Sequence, residues 1–317
     1  MISREDLQII TRNSTITQTD IESVLTKKIY HQKKDWQQFL TLFFMSLGIG
    51  LSIAGTLFFF AYNWNDLHKF TKLGIIEILI VTLTLIAIFT KIQPIFKNIL
   101  LTGASMLVGV LFAVFGQIYQ TGANAYDFFL GWTMAVALWV LVSNFAVLWL
   151  LFLVLINVTF GFYVEQVAPN WSGITVHTIF IAMNAVFLLG TLFLKYKKYH
   201  IPKWFEYILA LSIILLITTG MFEVIFSHRH KENSFIVVFQ MFILYSLGIY
   251  YGFKAKKSFY LALIPLSIII LLSAFFVEQI HDKEYISLLF IGLFVVVSVT
   301  FLVKYLMNLQ KQWKDEK

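Results

Sequence analysis

Apolar residues in this chain run on rather than alternate. Between residues 38 and 307, stretches of Leu, Ile, Phe and Val follow one another, separated by short polar gaps. We read ten of them, at 38–61, 70–90, 98–118, 128–142, 146–165, 171–194, 204–225, 234–253, 258–277 and 285–307. A helix rises about 1.5 Å per residue and the hydrocarbon core is about 30 Å thick, so about 20 apolar residues suffice to cross it. Barrel strands would alternate between apolar and polar positions, and these stretches do not. The pattern therefore predicts an all-α, polytopic transmembrane bundle of about ten spanning helices.

The fourth stretch is short, and only Ser143 and Asn144 separate it from the fifth. One helix covering both would be far too long for a bilayer, so a tight re-entry at Ser143-Asn144 is expected. A fourth segment that failed to cross would reverse everything after it, and charge decides between the two. With ten crossings and a cytoplasmic N-terminus, nineteen of the 24 basic residues fall on the inner side. Lys69, Lys72, Arg229, Lys231 and Lys283 fall outside. That is the positive-inside bias, and the basic blocks at 195–203 and 254–257 agree with the N-terminus. Both termini are expected in the cytoplasm. The chain then divides into a cytoplasmic helical segment (1–35), a transmembrane domain (36–307) and a short cytoplasmic tail (308–317). Ten helices also divide as five plus five, which would need an inverted repeat, but the motifs of the first half have no visible counterpart in the second.

Composition agrees. Hydrophobic residues make up 59% of the chain and charged ones 13%, against about 25% charged in soluble domains. A net charge of +7 would suggest nucleic acid in a soluble protein. Here the basic residues flank apolar stretches, so topology and anionic membrane lipid account for them, and no nucleic-acid partner is expected. With no cysteine, disulfides, thiolate metal sites and cysteine nucleophiles are excluded. The first 35 residues hold no continuous apolar core of a signal peptide, so the first span is expected to act as its own insertion signal. Within them Thr19 and Glu22 fit a capping box. The helix that follows carries Ile21, Val24, Leu25 and Ile29 on one side and lysines elsewhere. It reads as an interfacial helix held by anionic lipid, or else as a docking element for a partner.

Candidate chemistry is sparse. Glu77 is the only acid well inside a predicted span. Helical spacing puts it with Gly74, Val81 and Thr84, a face suited to packing against protein. An ionisable residue at such depth marks a cation or proton site, unless it snorkels outward or pairs with Lys72. His177 falls at a similar depth in the sixth span and could share a proton with a carboxylate, although most lone membrane histidines are packing residues. In the third span Ser105, Gly109, Ala113 and Gln117 recur every four residues, the spacing of close helix packing. Gly48, Ser52 and Thr56 form a similar row in the first span. Gln117 opens a polar loop that ends at Asp127. Asn63 begins the first outer loop, where asparagines suit turns and capping. Glu77, Gln117, His177, Asp127 and Asn63 together are the candidates for an outward-facing polar cavity. His68, His228, His230 and His281 fall in outer loops with Glu223, Glu278, Asp282 and Glu284, but no catalytic zinc spacing is present. No nucleophile elbow, phosphate loop or dinucleotide fingerprint occurs, and the sequence calls for no cofactor and no metal. Pro265 falls inside the ninth span, where a kink is expected.

Two segments carry a family likeness: FFFAYNWNDLHKFTKLGIIE (58–77) and FGQIYQTGANAYDFFLGWTMAVALWVLVS (115–143). They resemble the bacterial membrane proteins grouped as domain-of-unknown-function family 2157. The likeness is strongest over residues 1–145. It implies a multipass inner-membrane protein working with related multipass proteins, and it assigns no catalytic residue, because the group has no established activity. Three functions follow as expectations. The first is a transporter or channel with an outward-facing polar cavity. The second is a structural or signalling subunit of a membrane complex, and the third is an enzyme acting on lipid or glycan.

Overall fold

The structure, a computed structural model, describes residues 33–62, 67–119, 122, 124–227, 233–279 and 285–315. The expected N-terminal helices before residue 33, Asn63, and the histidines at 228, 230 and 281 lie outside the described residues. The described residues form ten helices: α1 (Lys33–Tyr62), α2 (Lys69–Phe89), α3 (Pro94–Tyr119), α4 (Ala125–Ser143), α5 (Ala146–Gln166), α6 (Gly173–Tyr196), α7 (Lys203–Phe226), α8 (Ser234–Lys254), α9 (Ser258–Gln279) and α10 (Tyr285–Asp315). Each is long and apolar enough to cross a membrane. The fourth has 19 residues, about 28 Å at the helical rise. It stops at Asn144, whose φ of 47° is left-handed, a conformation asparagine tolerates better than most residues. The helix break expected at Ser143-Asn144 falls there, at a single left-handed cap. At the far end of the chain, α10 runs on to Asp315, past the expected end of its span at residue 307 and through most of the tail.

The chain divides into two compact units, Met1–Leu148 and Trp149–Lys317. In the first, α3 is central and packs against α1, α2 and α4. Hydrophobic drive does not bring helices together in lipid, so close approach through small residues matters most. Two glycines of α3 provide it. A Cβ at Gly103 would lie 2.6 Å from Ile49 Cγ2 of α1. At Gly109 it would lie 2.5 Å from Trp132 Cζ2 of α4. The Trp132 indole N–H also donates to the Ser105 carbonyl at 2.8 Å. The upper half of the Ser105–Gln117 row is thus the seat of one tryptophan ring. Its lower half, Ala113 and Gln117, is exposed.

In the second unit α7 is central, packed on α6, α8 and α9, while α10 lies on α9. Its core is aliphatic and includes Ile181, Ile213, Ile217, Val237 and Ile264. Gly248 admits Ile264, and Gly252 admits Leu261. Buried polar groups tie helices together. Asn184 Nδ2 donates to Asn157 Oδ1 across α5 and α6 at 2.7 Å. Ser267 Oγ lies 2.7 Å from the Thr218 hydroxyl and 2.6 Å from that of Tyr245, joining α7, α8 and α9. Pro265 sits within α9, which continues on both sides of it.

Candidate functional site

The densest polar chemistry among the described residues lies at the basic end of the second unit. The α6–α7 and α8–α9 connections are short and lysine-rich. Each is closed by a lysine in the left-handed region, Lys198 at φ 69° and Lys256 at φ 50°. At both, backbone N–H groups turn back onto the helix: Tyr199 donates to Leu194, and Lys257 to Gly252. These caps direct two further lysines at one acid, Glu206, in the first turn of α7. A carboxylate there and a lysine in the last turn of α6 both suit the helix dipoles.

Glu206 is fully buried. Its Oε2 accepts from Lys195 Nζ at 2.6 Å. Its Oε1 accepts from Lys257 Nζ at 2.5 Å and from the Tyr260 hydroxyl at 2.7 Å. Lys257 also donates to the Tyr251 hydroxyl at 3.0 Å. Its ammonium stands over three tyrosine rings, with centroids 4.8 Å (Tyr251), 5.7 Å (Tyr207) and 5.9 Å (Tyr260) away. Burial alone would pull the Lys257 amine down. The Glu206 carboxylate and the Tyr251 hydroxyl outweigh it and hold the amine above its ordinary value. The cluster therefore pairs one carboxylate with two ammonium groups and keeps a positive excess.

At the opposite end of α6, His177 meets the acid Glu223 of α7. His177 Nδ1 lies 2.9 Å from the Gly173 carbonyl and 3.6 Å from Glu223 Oε2. Two glycines make the room. A Cβ at Gly173 would collide with the Glu223 carboxylate, and one at Gly220 would come within 3.0 Å of His177 Cβ. Nearby, Gln240 Nε2 donates to the Thr178 carbonyl, while its buried Oε1 has no partner among the described residues.

The residues expected to line a polar cavity fall on several helices of the two units. Glu77 is exposed on the flank of α2 away from its buried residues Lys72, Ile76 and Ile80. Its possible partner Lys72 thus lies on the other side of the helix. A Cβ at Gly74 would meet no atom within 4 Å, and Thr84 donates to its own helix at the Ile80 carbonyl. Gln117 is exposed near the end of α3. Asp127 is a capping residue, its Oδ2 accepting from the Asn124 N–H at 3.2 Å. Glu77, Gln117 and Asp127 belong to the first unit and His177 to the second. Glu206 is absent from the sequence candidates because it stands third in its span, where acids usually cap. The available signal was its place between two lysine blocks, with Tyr251 closing one span and Tyr260 opening the next.

Among the described residues, ten apolar helices with buried polar ties define a polytopic α-helical membrane protein. Residues 11–149 match the family described as Predicted membrane protein (DUF2157), the same family that the two sequence motifs resemble. The match ends where the first unit ends, so the Glu206 cluster lies beyond it. No curated protein and no solved structure matches the chain.

Proposed function

We propose that the chain is a non-enzymatic subunit of a membrane assembly, docking through α2 onto another multipass protein. The setting proposed is a bacterial inner membrane, with both termini cytoplasmic. The reading rests on Glu77. It lies eight residues into α2, about 12 Å from the helix start. It is exposed on a flank where Gly74 leaves open space. An acid turned to lipid at depth costs about 2.5–3.5 kcal/mol on insertion scales, so such a flank favours cover by a second protein surface. The glycine and Thr84 make that surface compatible with close helix approach.

A second reading is transport through an outward-facing cavity, with Glu77 and Gln117 as its polar groups. It is favoured by the exposure of both, Glu77 on the flank of α2 and Gln117 near the end of α3. One experiment separates the readings. Val81 shares the exposed flank with Glu77, and the chain has no cysteine, so Val81→Cys carries a single nitroxide label. Low accessibility to both oxygen and a nickel complex in native membranes supports the assembly. High nickel accessibility supports a water-filled cavity. High oxygen with low nickel accessibility places the flank in lipid and refutes both uses of Glu77.

A further inference from the structure

Between α6, α7, α8 and α9 lies an open slot of about 70 Å³, lined by apolar side chains and by Tyr245, Tyr251 and Tyr260. Half-exposed Leu189 and Leu247 stand on its rim. A space so lined stays dry and takes hydrocarbon rather than water. It follows α6 from Ala185 to Leu192, about 10 Å of helix. At its basic end are Tyr251 and Tyr260, the two tyrosines that bond Lys257 and Glu206.

An ammonium has three N–H donors. Lys257 gives one to Glu206 and one to Tyr251, and Lys195 gives one to Glu206. Three donors from two cations are then left at the end of an apolar slot, around a single carboxylate. Lys195 keeps 32% of its side chain exposed. Neither the slot nor the cations alone would specify a ligand, but together they match an amphiphile with an anionic head. We infer that the head-proximal part of an acyl chain of an anionic phospholipid lies along the open slot, with the phosphate taken by Lys195 and Lys257. The expected orientation puts this end at the cytoplasmic leaflet, where anionic lipid is concentrated. The inference does not depend on the assembly proposed through α2.

The test uses the full chain, delipidated in a neutral detergent. It is titrated with dioleoyl phosphatidylglycerol, with dioleoyl phosphatidylcholine or with inorganic phosphate, and bound lipid is read by native mass spectrometry alongside thermal stability. Phosphatidylglycerol should be retained and should raise the melting temperature, while the other two should not. Lys195→Gln leaves Glu206 paired with Lys257 and should weaken retention about fivefold, the worth of one surface lysine toward anionic lipid. Leu247→Trp fills the mouth of the slot without touching the cluster and should weaken it as well. Equal retention of both lipids would overturn the proposal. So would an inorganic phosphate effect as large as that of phosphatidylglycerol, which would mean a free-anion site. Retention unaffected by Leu247→Trp would remove the slot from the argument and overturn it too.

Discussion

Replacing Glu206 by glutamine probes the centre of the second unit without changing its shape. Both lysines then lose their counter-charge, while Tyr260 keeps an acceptor. Removing one partner of a buried ion pair costs about 3–5 kcal/mol, because the other charge is left stranded. Here the stranded ammonium groups are not sealed in, with side chains 32% and 14% exposed for Lys195 and Lys257. Their stems allow them to reach towards the interface, so the expected loss for Glu206→Gln is about 2–3 kcal/mol. Glu206→Ala also strips Tyr260 of its acceptor and should cost about 1 kcal/mol more. Unfolding of the full chain in mixed micelles of neutral detergent and dodecyl sulfate measures both. A cycle with Lys257→Met should return a coupling of about 1–3 kcal/mol, as for residues sharing one network. The pH dependence has a definite sign. Lys257 has a raised amine, so its contribution is complete below the ordinary value of 10.5 and is lost only as pH climbs through the raised one. In the unmutated chain Lys257 should therefore add no pH dependence to stability between neutrality and mild alkalinity. A Glu206→Gln loss within about 0.5 kcal/mol, the range of ordinary surface changes, would refute the idea that this cluster holds the unit together.

Further outcomes follow from other parts of the chain. Gly109→Leu should destabilise more than Leu107→Ala, since it displaces the Trp132 ring and its bond to the Ser105 carbonyl. Gly109→Ala alone should cost about 1–3 kcal/mol by overpacking and be partly rescued by Trp132→Phe, whereas Gly116→Ala, in open space, should be neutral or better in the same unfolding assay. Lys198→Gly relieves a left-handed lysine and should raise stability by up to about 1 kcal/mol; a loss would mean that its side chain matters more than its backbone. For topology, a reporter fused after Lys257 should report the cytoplasm and one after Arg229 the other side. The reverse would mean that an odd number of segments before them fails to cross.

The number, length and type of the helices were legible because spanning a bilayer is a local demand. Every backbone group must be satisfied within its own segment, so each apolar run of sufficient length declares itself. Even the short fourth helix was readable, since Asn144 is among the few residues that accept a left-handed cap. The Ser105–Gly109 spacing likewise announced a close contact, because only small residues permit one. Partners across helices were not legible. The contact was made by Trp132, and His177 lies against Glu223 of α7. Glu206 looked like a helix-end acid until α6, α8 and α9 brought two lysines and two tyrosines around it. Glu77 shares a face that suits packing against protein and is exposed on its flank, since the hydrophobic pattern of a span marks contact with lipid or protein without distinguishing them. Periodicity along one helix says which residues share a face. Which face meets which depends on how neighbouring helices turn about their axes, and that is decided only when the bundle packs.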